Sequence, residues 1–220
     1  MTKKHFFLFI LILIYAQVVF SQEQTKLIKN PPINVEALVS NRGIAFQQMA
    51  NKKMQSLPRL GFFNVINFVG EWDTPIANDL MTQGNITFQI IKGLDIMAGF
   101  HLTSVTGFRP TTGLMYSYAK PDFTFVVNPR FDLMKNGIFE TFSLIEYRPK
   151  INDIWGIYSR LQGVYGHTLN DNTHARSYVV ARIGLSYREF NFGLGTNLDW
   201  YGPTKANINS FGGFLAVALF

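Results

Sequence analysis

Ile208 to Phe220 reads INSFGGFLAVALF. It is strand-length, almost wholly apolar, and stops on an aromatic ring. Chain ends in water usually fray and carry polar residues. A strand that closes a barrel in a bilayer explains both features, because it pairs with the first strand and sets its last ring in the aromatic girdle at the membrane boundary. On this reading Phe220 is an assembly signal. Strand 208–220 should pair with a strand at 59–70, with both ends at the periplasmic rim.

Composition agrees with a barrel. Hydrophobic residues make up 47% of the 220 and charged residues 15%, against roughly 25% charged in ordinary soluble domains. Past residue 21 no apolar run approaches the ~20 residues that a spanning helix needs. A chain this apolar must hide its side chains in a soluble β core or turn them to lipid. With Cys at zero, disulfides, thiolate metal sites and a lipidated cysteine are all excluded. The formal charge is +6, but no basic block occurs and Lys3 and Lys4 fall in the export segment, so nucleic acid is not an expected partner. No Gly-rich phosphate loop or nucleotide fingerprint stands out, and no cofactor is expected.

Residues 1–21 have the form of a secretory signal peptide. Lys3 and Lys4 are the positive region, Phe6 to Phe20 (FFLFILILIYAQVVF) the apolar region, and Val19 and Ser21 the small-residue exit before Gln22. Residues 22–57 differ again. Pro31-Pro32 marks an extended stretch, and Leu38, Val39, Phe46, Met49 and Ala50 have helical spacing, broken at Asn41-Arg42-Gly43. This predicts a short helical or extended lead-in on the periplasmic side.

From residue 58 to 220 the chain divides into about ten strand-length segments (a range of 8–12). They fall at 59–70, 81–91, 94–106, 111–119, 122–131, 137–148, 154–166, 177–188, 190–200 and 208–220. Several alternate with period two. Phe190, Phe192, Leu194, Leu198 and Trp200 face one way, while Asn191, Gly193, Gly195, Asn197 and Asp199 face the other. Joins such as Lys92-Gly93, Lys120-Pro121 and Glu189 are short, while Glu71 to Leu80, His167 to Arg176 and Tyr201 to Asn207 are longer, as expected of periplasmic turns and outer loops. Trp155, Tyr147, Tyr187 and Phe220 map to the periplasmic rim, and Trp72, Tyr118, Tyr165, Trp200 and Tyr201 to the outer one. The expected fold is all-β: an antiparallel up-and-down transmembrane barrel.

Signal peptide, period-two strands, alternating loops and the final Phe together resemble the small outer-membrane β-barrel proteins of Gram-negative bacteria. The VFS-Q boundary and the Cys-free, Asn- and Lys-rich style are similar to the Bacteroidetes group. The resemblance is one of pattern over residues 58–220 and carries no functional residue. It implies the cell outer membrane as location, with membrane lipid and the barrel-assembly machinery as partners.

If the apolar face meets lipid, the lumen receives a nearly balanced polar set: Asp95, His101, Arg130, Glu140, Glu146, Arg160, Arg182, Arg188 and Asp199. Unpaired charge in a narrow lumen is costly, so these should form ion pairs. Two functions fit. One is a non-enzymatic barrel, either a narrow pore or a scaffold presenting its outer loops. The other is a lipid hydrolase near the outer rim, where His101 and Ser104 invite attention but lie three apart and so on opposite faces of a strand. His167, Asp171 and His174 share one loop without a compact metal-ligand spacing, and no metal is expected. In an outer-membrane fraction the protein should migrate differently on a gel before and after boiling. Solubility without detergent would rule out the barrel.

Overall fold

The computed structural model describes residues 28–74 and 79–220. The signal peptide expected over 1–21 lies outside these residues. Twelve strands follow one another in sequence order: β1 (Ile33–Ser40), β2 (Gly43–Lys53), β3 (Leu60–Glu71), β4 (Asp79–Ile91), β5 (Leu94–Thr103), β6 (Gly107–Ala119), β7 (Phe123–Asp132), β8 (Ile138–Tyr147), β9 (Trp155–Thr168), β10 (His174–Tyr187), β11 (Phe190–Tyr201) and β12 (Ala206–Leu219). Each pairs antiparallel with the next, and β12 returns to β1 to close the barrel.

The count is twelve rather than about ten, and the difference lies in the segment read as a lead-in. Residues 33–53 form β1 and β2, and no helix occurs among the described residues. The closing pair changes with it. β12 pairs with β1, from Ile33↔Leu219 to Ser40↔Gly212, while β3 lies between β2 and β4. Every strand therefore has two hydrogen-bonded neighbours, which a sheet without an edge requires in lipid.

Alternation sets the faces. Leu194, Ile183, Ile86, Phe211 and Leu215 are exposed on the outside, each flanked along its strand by residues turned inward. Around the rim nearest Ile33 and Leu219, Trp155 packs on Tyr187 at 4.8 Å between ring centroids and meets Phe192 edge-on. Tyr118 belongs to this same rim, beside Phe123 across the β6–β7 turn, not to the opposite one. Loop lengths separate the two sides less than expected. Asn41-Arg42 on the far side is a two-residue join, while 54–59 and 148–154 on the near side are long. Both long near-side joins carry prolines, Pro58 and Pro149, which cannot donate to a ladder.

The lumen is not uniformly polar. Phe63, Val65, Met97, Met115, Val126, Phe142, Leu144, Val164, Tyr178 and Val180 form one buried apolar cluster from β3 round to β10, and Leu38, Tyr158, Phe214 and Ala216 form a second. Burying such side chains is worth roughly 1.5–3 kcal/mol each. Charged groups occupy the levels above and below the first cluster and the β9–β1 sector.

Closure depends on a close approach at Gly212, where an added Cβ would lie 1.8 Å from the Val39 carbonyl oxygen. Gly212→Val should therefore open the β1–β12 seam and lower the temperature at which the compact gel band converts to the unfolded one. Gly70→Ala is the matched control, since nothing lies nearer than 4.0 Å to its added carbon. Equal conversion temperatures for the two variants would refute the seam argument.

Candidate functional site: the charged lumen

The arginines predicted for the lumen converge on a residue that the sequence reading did not select. Glu36 on β1 receives Arg160 Nη2 of β9 at 2.8 Å and Arg182 Nε and Nη2 of β10, both at 2.9 Å. All of these contacts end on the same carboxylate oxygen, Oε1. To reach it, Arg182 lies along the wall across β11 and toward β12. Gly195 makes this possible, because a Cβ there would sit 2.7 Å from Arg182 Cδ. Arg182 Nη1 then donates to the carbonyls of Ala181 and Thr196, and the guanidinium covers the Phe214 ring at 5.8 Å.

A second cluster crosses the far mouth. Arg176 on β10 donates to Asp79 on β4 through Nη1 at 3.2 Å and Nη2 at 2.9 Å, and also to Asp199 at 2.9 Å. Tyr201 donates to Asp79 at 2.6 Å, and the Arg176 guanidinium stands 4.7 Å from the Tyr201 ring centroid. Five strands separate β4 from β10 in either direction round the barrel, so this contact spans the lumen. Tyr201 accordingly belongs to the lumen mouth and not to an interfacial girdle. Beside it Arg42, in the join between β1 and β2, pairs with Glu71, the last residue of β3, at 2.7 Å. Burial pulls the Arg42 pKa down, but the hydrogen bond and charge of Glu71 outweigh it and hold the group above its ordinary value.

Smaller pairs complete the wall. Arg130 bonds Glu140 at 2.8 Å and Asp132 at 3.2 Å, and Arg109 bonds Asp132 at 2.9 Å. Lys53 meets Asp95 at 2.5 Å, and Tyr158 and Arg148 share Glu146. His101 faces inward with its strand partner Arg109, while Ser104 lies in the turn beyond β5.

Of the predicted set, Arg188 is set apart. It sits exposed in the β10–β11 turn at φ 52°, over the Tyr187 ring. The period-two count puts it on the lumen side, but the strand ends one residue earlier and the backbone turns. Glu36, Lys53, Asp79, Arg109 and Arg176 were not among the predicted lumen residues. Glu36 and Lys53 belong to the segment read as a lead-in, and Asp79 and Arg176 to stretches read as outer loops. In the rim pair of His167 and His174, both His174 ring nitrogens already have protein partners, the Gly202 carbonyl at 2.7 Å and the Ser177 hydroxyl at 2.9 Å.

Between the Glu36 and Arg176 clusters lies a cavity of about 60 Å³, also lined by Gln47, Asn67, Gln162, Tyr178 and Asn197.

No family model and no curated protein matches the chain by sequence. Among solved structures, the NanC porin aligns over 86% of this chain and 99% of its own, at 13% identity and a TM-score of 0.52. The outer-membrane protein OmpT of Vibrio cholerae aligns over 80% of this chain and 65% of its own, at 10% identity and a TM-score of 0.38, too low to support any argument. The likeness is one of fold. It fits the closed antiparallel barrel and is silent on residues.

The Glu36 cluster generates a stability ordering. Glu36→Ala leaves two buried guanidiniums without their carboxylate, and breaking a buried pair from one side costs roughly 3–5 kcal/mol. Arg182→Ala still leaves Arg160 on Glu36 and should cost less. Urea unfolding of the refolded barrel checks the order. Equal midpoints would mean that Glu36 does not hold the cluster together.

Proposed function

We propose that the protein is a non-enzymatic outer-membrane barrel whose lumen is a narrow path for small polar solutes, with the mouth near Asp79, Arg176 and residues 202–205 facing the outside. The observation that carries this reading is the Arg176–Asp79 contact, made by side chains from opposite walls of the barrel. A twelve-stranded wall is wider than the eight-stranded barrels that side chains just fill and narrower than a wide porin. Here the ion pair and the apolar cluster together leave a cavity of only about 60 Å³. The outward apolar residues and the aromatic rim suit a bilayer. Phe220, 86% exposed beyond β12, is the contact we assign to the barrel-assembly machinery.

Planar-bilayer recording tests the path. The native barrel should show small single-channel steps. Asp79→Ala frees Arg176 from the opposite wall and should raise conductance several-fold. If both proteins are electrically silent while folded, the barrel is a closed scaffold. If both conduct equally, the brace does not set the bore.

A further inference from the structure

We propose that the cavity between the two arginine clusters binds a small monovalent cation and makes the path cation-selective, an inference that rests on the reading of the lumen as a solute path. The chemistry of the free valences carries it. Glu36 is 4% exposed and Gln162 1% exposed, and both line the cavity. Among the described residues Glu36 Oε2 and Gln162 Oε1 have no hydrogen-bond partner, and neither do Asn67 Oδ1 and Asn197 Oδ1 on the same wall.

A carboxylate oxygen accepts only, and buried acceptors left unpaired cost free energy. The arginine donors nearby are committed elsewhere. Arg182 spends its donors on Glu36 and two backbone carbonyls, and Arg176 spends its terminal nitrogens on Asp79, Asp199 and Tyr201. Among the fully buried side-chain atoms of that lining, four acceptors but one donor, Arg176 Nε, lack a partner; Arg160 Nε, behind Glu36, is a further one. Formal charge agrees in sign: Glu36, Asp79 and Asp199 face Arg176 and Arg182 across the cavity, a sum of −1 that becomes zero only when Arg160, behind Glu36, is included.

An anion would meet the amide nitrogens of Gln47, Asn67 and Asn197 but would also face the bare Glu36 carboxylate oxygen, whereas an alkali ion or a primary ammonium is drawn to that oxygen and to the amide oxygens. Oxygen ligands of this type suit hard cations. A volume of about 60 Å³ admits such an ion with a few waters.

The test uses the folded full-length barrel in a planar bilayer under a KCl gradient. The reversal potential should report several-fold preference for K⁺ over Cl⁻. Gln162→Leu and Asn197→Leu, which leave both arginine clusters intact, should each move that preference toward unity. An unselective or anion-selective native barrel would overturn the proposal while leaving the path itself standing. If the native barrel does not conduct, the path fails but the site is still read by stability. At matched ionic strength, KCl or methylammonium chloride should raise its heat-conversion temperature above that in tetraethylammonium chloride, and Gln162→Leu should abolish the rise. Which of the two salts acts separates an alkali-ion site from an ammonium site. No rise with either, in a silent barrel, overturns the cation site.

Discussion

A sheet that turns one face to lipid can leave no edge unpaired, and the β1–β12 ladder is where this chain meets that demand. Ser40↔Gly212 at one end and Ile33↔Leu219 at the other bring the two ends of the meander together. The ladder needs a glycine at 212 because the Val39 carbonyl occupies the space of a side chain. In hydrocarbon each unpaired backbone group costs several kcal/mol. Closure is therefore a condition of the fold.

Closure also determines the chemistry of the lumen. Only a strand inserted between β12 and β2 can bring Glu36 within reach of Arg160 and Arg182, residues more than a hundred positions later in the chain. The two charged clusters then differ in kind. Glu36, Arg160 and Arg182 lie along the wall and tie β9 and β10 to β1 across β11 and β12. Arg176 and Asp79 reach over open space. One ties a sector of the wall, and the other joins opposite walls.

The later strands were legible because their two faces differ. On β11 every outward residue is bulkier or more apolar than its inward neighbours, and the glycines and amides face in. β1 shows the contrast in all but Leu38, with Val35, Ala37 and Val39 outward and Asn34, Glu36 and Ser40 inward, but it is only 8 residues long, and β2 lacks it. There Gln48 faces outward while Ala45 and Met49 face inward. With apolar residues on both faces, period two fades and an accidental helical spacing remains. Strand identity there is imposed by the neighbouring ladders, a tertiary effect on weak local preference. Pairing partners were hidden for a related reason. Arg130 and Glu140 are cross-strand neighbours and could be matched locally, whereas Arg176 and Asp79 meet only when the strand number is right.

Why a lumen should keep ion pairs beside an apolar cluster is a question of relative cost. Replacing a buried ion pair with apolar side chains of similar volume is often neutral or stabilising. This barrel already does so from Phe63 round to Val180, where β3 to β10 pack hydrocarbon against hydrocarbon, and again where Leu38, Tyr158, Phe214 and Ala216 pack together. Stability alone would join the two clusters. Instead Glu36 with a bare oxygen, amides with unpaired acceptors, and glycines in place of filling side chains stand between them. Such a wall gives up packing for polarity, and on the proposed function that polarity is a surface that water and ions could follow. The apolar clusters hold the barrel in shape, and the polar groups between them are the part that stability does not explain.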